Sequence, residues 1–284
     1  IVEECDNALF SCAKTTDLNK LMRLLRLDYN KENVSSISST LEFNKCIESI
    51  ENKQQILSSA YQDKLLYQFN FANTCCNKVY SLSPSEQATL DFDLEILSKF
   101  DEIAKTNRGI ILSHNLKSVA LLLTMGSHEI ILGADLEYIH NNDRIGWGAI
   151  ISKSQAVINS KFSYIKIPHH GSENGFCENL WTKFLCINPE ATITPFNRLQ
   201  VPLPTEIMQN LYKSKTNKLF ITSQNKAFKR KKRDPETKKI IKDWELKINL
   251  EEVPYQYGLI RSRIDINNPD ATWITECDGT AFQL

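Results

Sequence analysis

The chain has 284 residues, with 34 Lys and Arg against 34 Asp and Glu, so its formal net charge is zero. That balance excludes a protein that is basic or acidic as a whole and leaves charged partners only to local patches. A hydrophobic share of 42% and a charged share of 24% exclude wholesale disorder. No run of about 18 apolar residues is present to span a membrane.

At roughly 150 residues per domain, the length suits one large domain or two small ones. Leu18, Leu21, Met22, Leu24 and Leu25 recur at helical spacing, with Asp17 as a candidate cap. Ser35 to Ser39 breaks the pattern. A second helix is predicted from Leu41 to about Tyr67, so the region 13–75 reads as a helical insertion or cap. Lys78 to Leu82 reads as a short strand. Ser83-Pro84-Ser85-Glu86 reads as a helix start, with Ser83 as cap, and the helix runs to about Lys105.

The texture changes at Asn107. Val119–Thr124 and Glu129–Gly133, joined by Gly126-Ser127-His128, predict a β-hairpin. A strand over Tyr164–Ile167 follows a polar stretch. Then come a helix over Cys177–Leu185, a strand over Ala191–Pro195, a helix over Pro204–Lys213 and a strand over Lys218–Thr222. Residues 226–242 form a basic surface loop: Lys226, Lys229, Arg230, Lys231, Lys232, Arg233, Lys238, Lys239 and Lys242 stand against Asp234 and Glu236. Trp244–Leu250 and Tyr257–Ile264 read as further strands. The mixture predicts an α/β fold with helices outside the sheet.

The eight cysteines contain no C-x-x-C pair, so neither a zinc ribbon nor a thioredoxin-type site is signalled. They read as reduced, mostly buried thiols of a cytoplasmic protein. Among the five histidines, His128 lies in the hairpin turn and His140 in a polar loop. Three other places look chemical. Asp135 follows the strand Ile130-Ile131-Leu132 through Gly133-Ala134. His169-His170-Gly171-Ser172 follows Tyr164–Ile167 through Pro168. His114-Asn115 precedes the strand at Val119. One Asp with two or more His at strand ends suits zinc, manganese or iron. The bland readings are an Asp in a turn and structural histidines.

The segment from Ser113 to Ser172 resembles the second half of a metallo-β-lactamase-fold hydrolase, and most of all the branch with the competence-channel hydrolase domain. Asn115–Ser118 before Val119–Leu123, Ile131–Asp135, and Lys166–Ser172 carry the likeness, with Thr194-Pro195 and Leu203-Pro204-Thr205 in support. The resemblance implies an αββα sandwich and two divalent metal ions, zinc or manganese. Asp135 resembles the bridging carboxylate and His170 the last histidine ligand. His169 would face substrate, His114 would be a further ligand with Asn115 as its rival, and Asn115 and Ser172 would line the substrate site. The family's principal motif, His-x-His-x-Asp-His, is absent from these residues, and five histidines cannot supply it. Ile1-Val2-Glu3-Glu4-Cys5 resembles the helix after that motif. The expectation is therefore a C-terminal portion lacking on the order of a hundred residues that activity would require, or a motif half carried on another chain, or a degenerate, inactive fold.

The function expected from the resemblance is metal-dependent hydrolysis of phosphodiesters or nucleic acid. The family association adds a protein partner from the same operon in bacterial defence. Lys229, Arg230, Lys231, Lys232 and Arg233 are the expected contact for nucleic acid or that partner; no membrane contact is expected. The alternative is a non-catalytic scaffold or binding subunit with a degenerate form of the fold.

Overall fold

The computed structural model describes residues 60–71, 75–106, 114–197, 201–224 and 257–284, with 236, 239, 240 and 242 besides. The helical readings before residue 60, the strand over 244–250 and nearly all of the basic loop 226–242 lie outside the described residues. Chain order gives β1 (Lys64–Phe71), β2 (Cys75–Ser81), α1 (Glu86–Thr106), β3 (Leu121–Met125), β4 (His128–Leu132), α2 (Gly146–Lys153) and β5 (Phe162–Lys166). There follow β6 (Leu185–Ile193), α3 (Glu206–Lys215), β7 (Leu219–Ile221), β8 (Gly258–Arg263), β9 (Ile274–Gly279) and β10 (Phe282–Gln283). The fold is mixed α/β: one eight-stranded sheet in the order β1-β2-β3-β4-β5-β6-β7-β10, and a separate β8-β9 hairpin. Among the described residues no helix is long and apolar enough to cross a membrane.

The sheet changes character at β4. The pairs β1-β2, β2-β3 and β3-β4 are antiparallel, whereas β4-β5, β5-β6 and β6-β7 are parallel. Parallel neighbours need crossovers. Here α2 lies between β4 and β5, and α3 between β6 and β7. One register row crosses five strands as Leu122, Ile131, Ile165, Ala191 and Leu219. None of the five exceeds 1% exposure, and all join one core with Trp147, Ile150, Trp181, Met208 and Tyr212 from the crossovers. Burying each Leu or Ile stabilises by roughly 1.5–3 kcal/mol, so this row is a major part of what holds the strands in register.

The opposite sheet face is partly polar, carrying Tyr164, Lys166, Glu190 and Thr192. The β8-β9 hairpin lies against it. Ser262 Oγ donates to Glu190 Oε1 at 3.0 Å, Thr275 Oγ1 donates to the same oxygen, and Trp273 packs on Tyr164 with ring centroids 4.9 Å apart. Glu190 is 2% exposed, and its burial pushes the carboxyl above its ordinary range against the Ser262 hydrogen bond and the Lys218 charge.

Several local expectations are corrected. Residues 64–71 are strand, not the end of the helix expected to about Tyr67, and β1 pairs with β2 at the edge of the sheet. Tyr67 and Phe69 alternate with Gln68 and Asn70, a register irregularity separates them from Leu65, and pairing with β2 decides for a strand. The helix expected over Cys177–Leu185 is helical over 178–184, with a π turn at Leu180–Phe184, and ends where β6 begins at Leu185. The cap of α1 is Ser85, whose Oγ accepts from Ala88 N at 3.2 Å. Ser83 instead bridges to the chain before β3, donating to Ser118 O at 2.6 Å and accepting from Ala120 N at 2.8 Å. Of the cysteines described as free, Cys177 is buried and Cys277 exposed.

Trp147 ties α2 to the chain beyond β4. It is fully buried, its backbone N–H donates to Glu137 O at 3.0 Å, and its Nε1–H donates to Leu136 O at 2.9 Å. We expect Trp147→Ala to cost about 3–5 kcal/mol, as a large buried aromatic removed from a packed core. Trp147→Phe should cost less, about 1–3 kcal/mol, chiefly for the Leu136 carbonyl left without its donor. Urea denaturation of both variants measures the difference.

Candidate functional site

Parallel pairing places the carboxyl ends of β4, β5 and β6 along one edge of the sheet, the edge at which open α/β sheets bind ligands. The chain beyond β4 delivers Asp135, that beyond β5 delivers His169 and His170, and that beyond β6 delivers Thr194. The first two are drawn together by Gly133. A Cβ at Gly133 would lie 2.7 Å from Pro168 Cβ, so only glycine permits the approach. Gly133 N donates to Lys166 O at 3.0 Å and His169 N to Ala134 O at 2.8 Å.

The turn itself is costly. His169, His170 and Gly171 have φ of 45°, 55° and 74°, three successive left-handed residues of which two carry side chains. Each non-glycine residue in that region costs about 1–3 kcal/mol and persists only where its surroundings over-determine it. Gly171 N donates to Pro168 O and Ser172 N to His169 O, each at 2.9 Å.

His170 faces Asp135. Its Nδ1 lies 2.8 Å from Thr194 O, and a carbonyl only accepts, so Nδ1 carries the proton. In the neutral ring that leaves a lone pair on Nε2, which stands 3.6 Å from Asp135 Oδ1. Two acceptors at this distance repel unless a proton or a cation joins them. Two tetrahedral ligands at about 2.1 Å from one ion stand about 3.4 Å apart, so the observed separation fits a shared divalent ion. The Thr194 contact is the outer hydrogen bond that metal-binding histidines make. Phe196 packs against the His170 ring with centroids 5.1 Å apart.

His169 points elsewhere. Its Nδ1 is 3.3 Å from Glu137 Oε1, and its Nε2 is 3.3 Å from Asn115 Nδ2. Asn115 Nδ2 also donates to Glu137 Oε1 at 2.9 Å. His169 and Asn115, both expected at the substrate, thus come together with Glu137. Ser172 is 5% exposed and its hydroxyl donates to Asn174 Oδ1 at 2.6 Å. His114 opens a 3-10 turn and is exposed. Among the described residues no three His, Cys, Asp or Glu side chains converge as a metal-binding group. Residues 229–233 lie outside the described residues.

Sequence reading did not single out Glu137, Thr194 as a partner of His170, or Lys166. Glu137 follows the turn at Ala134-Asp135, where no periodicity marks it, and buried Leu136 separates it from Asp135. Lys166 sits at the end of β5 beside the site. Burial pushes its ammonium down to about 8, with the Asp135 charge opposing the shift. Compared with known proteins, the chain matches no family model, no curated protein and no solved structure.

Lys166 makes stability pH-dependent. Its value lies at about 8 in the folded chain against an ordinary 10.5, so between those pH values the unfolded chain holds the extra proton. Stability therefore rises with pH through that window, and the cost of the buried charge is fully present below it. We expect Lys166→Met to be more stable than wild type near neutral pH, with the gap closing as pH rises through the same window. Urea melts at a series of pH values test it; a gap independent of pH would remove the buried charge as its cause.

Proposed function

We propose that the protein is a metal-dependent hydrolase of the metallo-β-lactamase type acting on phosphodiester or nucleic-acid substrates. The observation that carries this reading is the Asp135–His170 pair: a carboxylate oxygen and an imidazole nitrogen, 3.6 Å apart at the ends of adjacent parallel strands, with the imidazole proton held by Thr194 O. Both donors suit zinc or manganese, and Asp135 and His170 would hold it. A metal bound there would lower the pKa of its water and polarise the bond to be cleaved. The αββα layering belongs to this proposal, as do the remaining ligands, which an upstream His-x-His-x-Asp-His segment would provide.

What this chain's own residues do is orient. Thr194 fixes the His170 tautomer, Phe196 limits the swing of its ring, and Gly133 lets the two ligand-bearing loops touch. Phosphodiesters lead among substrates because the sequence resemblance is to the competence branch and because the 226–242 segment concentrates cations on a chain of zero net charge.

In the full-length protein, Asp135→Ala should abolish metal-dependent cleavage with the fold retained. A panel of single-stranded DNA, RNA, cyclic nucleotides and simple esters reads the substrate class. Cleavage of esters alone would place the protein outside the nucleases. Neither cleavage nor metal uptake would leave the scaffold reading.

The basic cluster has its own test. Replacing Lys229, Arg230, Lys231, Lys232 and Arg233 by Ser should weaken DNA binding and flatten its salt dependence, by about 0.9 in log–log slope for each phosphate no longer neutralised. No aromatic lies between Lys229 and Lys242, so the binding should be independent of sequence. An unchanged slope would show that these cations only face solvent.

A further inference from the structure

We infer that Glu137 and Asn115 are positioning residues: they clamp His169 as its Nδ1–H tautomer, and so hold the left-handed turn that presents His170. The first half stands on the geometry of the cluster alone; the second rests on the metal reading proposed above.

The tautomer follows by elimination. A carboxylate only accepts, so the Asn115 atom 2.9 Å from Glu137 Oε1 must be its amide nitrogen and not its oxygen. The same NH₂ lies 3.3 Å from His169 Nε2. A proton on Nε2 would set donor against donor, so Nε2 accepts and Nδ1 carries the hydrogen. His169 Nδ1 is sealed from solvent and has no partner in full hydrogen-bond geometry among the described residues. Glu137 Oε1, 3.3 Å away, is the acceptor facing it. Both ring nitrogens thus face protein groups, Nε2 the Asn115 amide and Nδ1 the Glu137 carboxylate, so the ring serves as a strut.

The strut has a load. His169 is the first of the three left-handed residues, and His170, the second, carries the nitrogen aimed at Asp135. Without the side-chain clamp, the turn keeps its backbone hydrogen bonds, but the His169 ring no longer ties its first residue to the Asp135 loop. Glu137 is itself rooted in that loop, where its carbonyl accepts from Trp147 N. A side-chain replacement at Glu137 leaves that backbone tie intact.

The test is long-range ¹H–¹⁵N correlation of the imidazoles in the full-length protein without added metal, with His169→Gln to assign the resonances. Wild type should show His169 as a single Nδ1–H tautomer. Glu137→Ala should turn it into a mixture, while Glu137→Gln, whose amide oxygen still accepts, should keep it. Asn115→Ala, which removes the donor to Nε2, should also give a mixture and serves if Glu137→Ala does not fold. Zinc titration by calorimetry should show affinity lowered about 10–100-fold in Glu137→Ala and Asn115→Ala, with Glu137→Gln nearer wild type. An Nε2–H tautomer in wild type, or an unchanged tautomer in both alanine variants, would overturn the clamp. A changed tautomer with unchanged zinc affinity would overturn its role in presenting His170. A changed tautomer in the variants of a protein whose wild type takes up no zinc would uphold the clamp and remove the metal reading.

Discussion

The parallel register of β4, β5 and β6 is the constraint on which the rest depends. It sets Ile131 against Ile165 and Ile165 against Ala191, and carries that alternation through to the strand ends. Side chains alternate with a period of two, so a slip of one residue would turn Ile165 to the polar face and Tyr164 or Lys166 into the core. The buried row therefore sets the site at a distance. With the register held by apolar packing, Gly133 and Pro168 are forced to meet, and the Asp135 and His170 loops have no freedom to part.

Against that rigid edge the turn at His169–Gly171 is strained, and the strain is held from three directions. Backbone hydrogen bonds close it, Glu137 and Asn115 hold one imidazole, and Thr194 O holds the other. Three successive left-handed residues would relax in an isolated peptide; here two neighbouring strand ends over-determine them. Local sequence thus conflicts with local backbone preference at the candidate site.

The face of the sheet away from the main core obeys a different rule. Glu190, Thr192, Tyr164 and Lys166 put polar groups on central strands, where burial is costly unless each finds a partner. Glu190 finds Ser262 and Thr275, and Tyr164 finds Thr192 and the Trp273 ring. The β8-β9 hairpin is therefore tied to the sheet by hydroxyl-to-carboxylate contacts as well as by the Trp273 ring. Lys166 stays the least satisfied of the group, at 3.4 Å from Ile167 O, which is why burial moves it so far.

By itself the sequence determined the strands whose residues bear their own signal. The β3-β4 hairpin, β5, α3, β7 and β8 were legible because apolar runs and turn residues act over a few positions. The placement of Asp135 and His170 at strand ends was legible for the same reason, through the glycines that follow or precede them. Only the tertiary structure decided the rest. β1 has an apolar alternation that a helix could also have used, until β2 paired with it. α2 was hidden because Gly146 and Gly148 weaken its helical signal, and its apolar residues, led by Trp147, are buried only by the sheet it covers. Glu137, Asn115 and Thr194 became partners of the two histidines only when three strand ends met, since a hydrogen bond between residues 22 to 54 positions apart leaves no periodic trace in a chain.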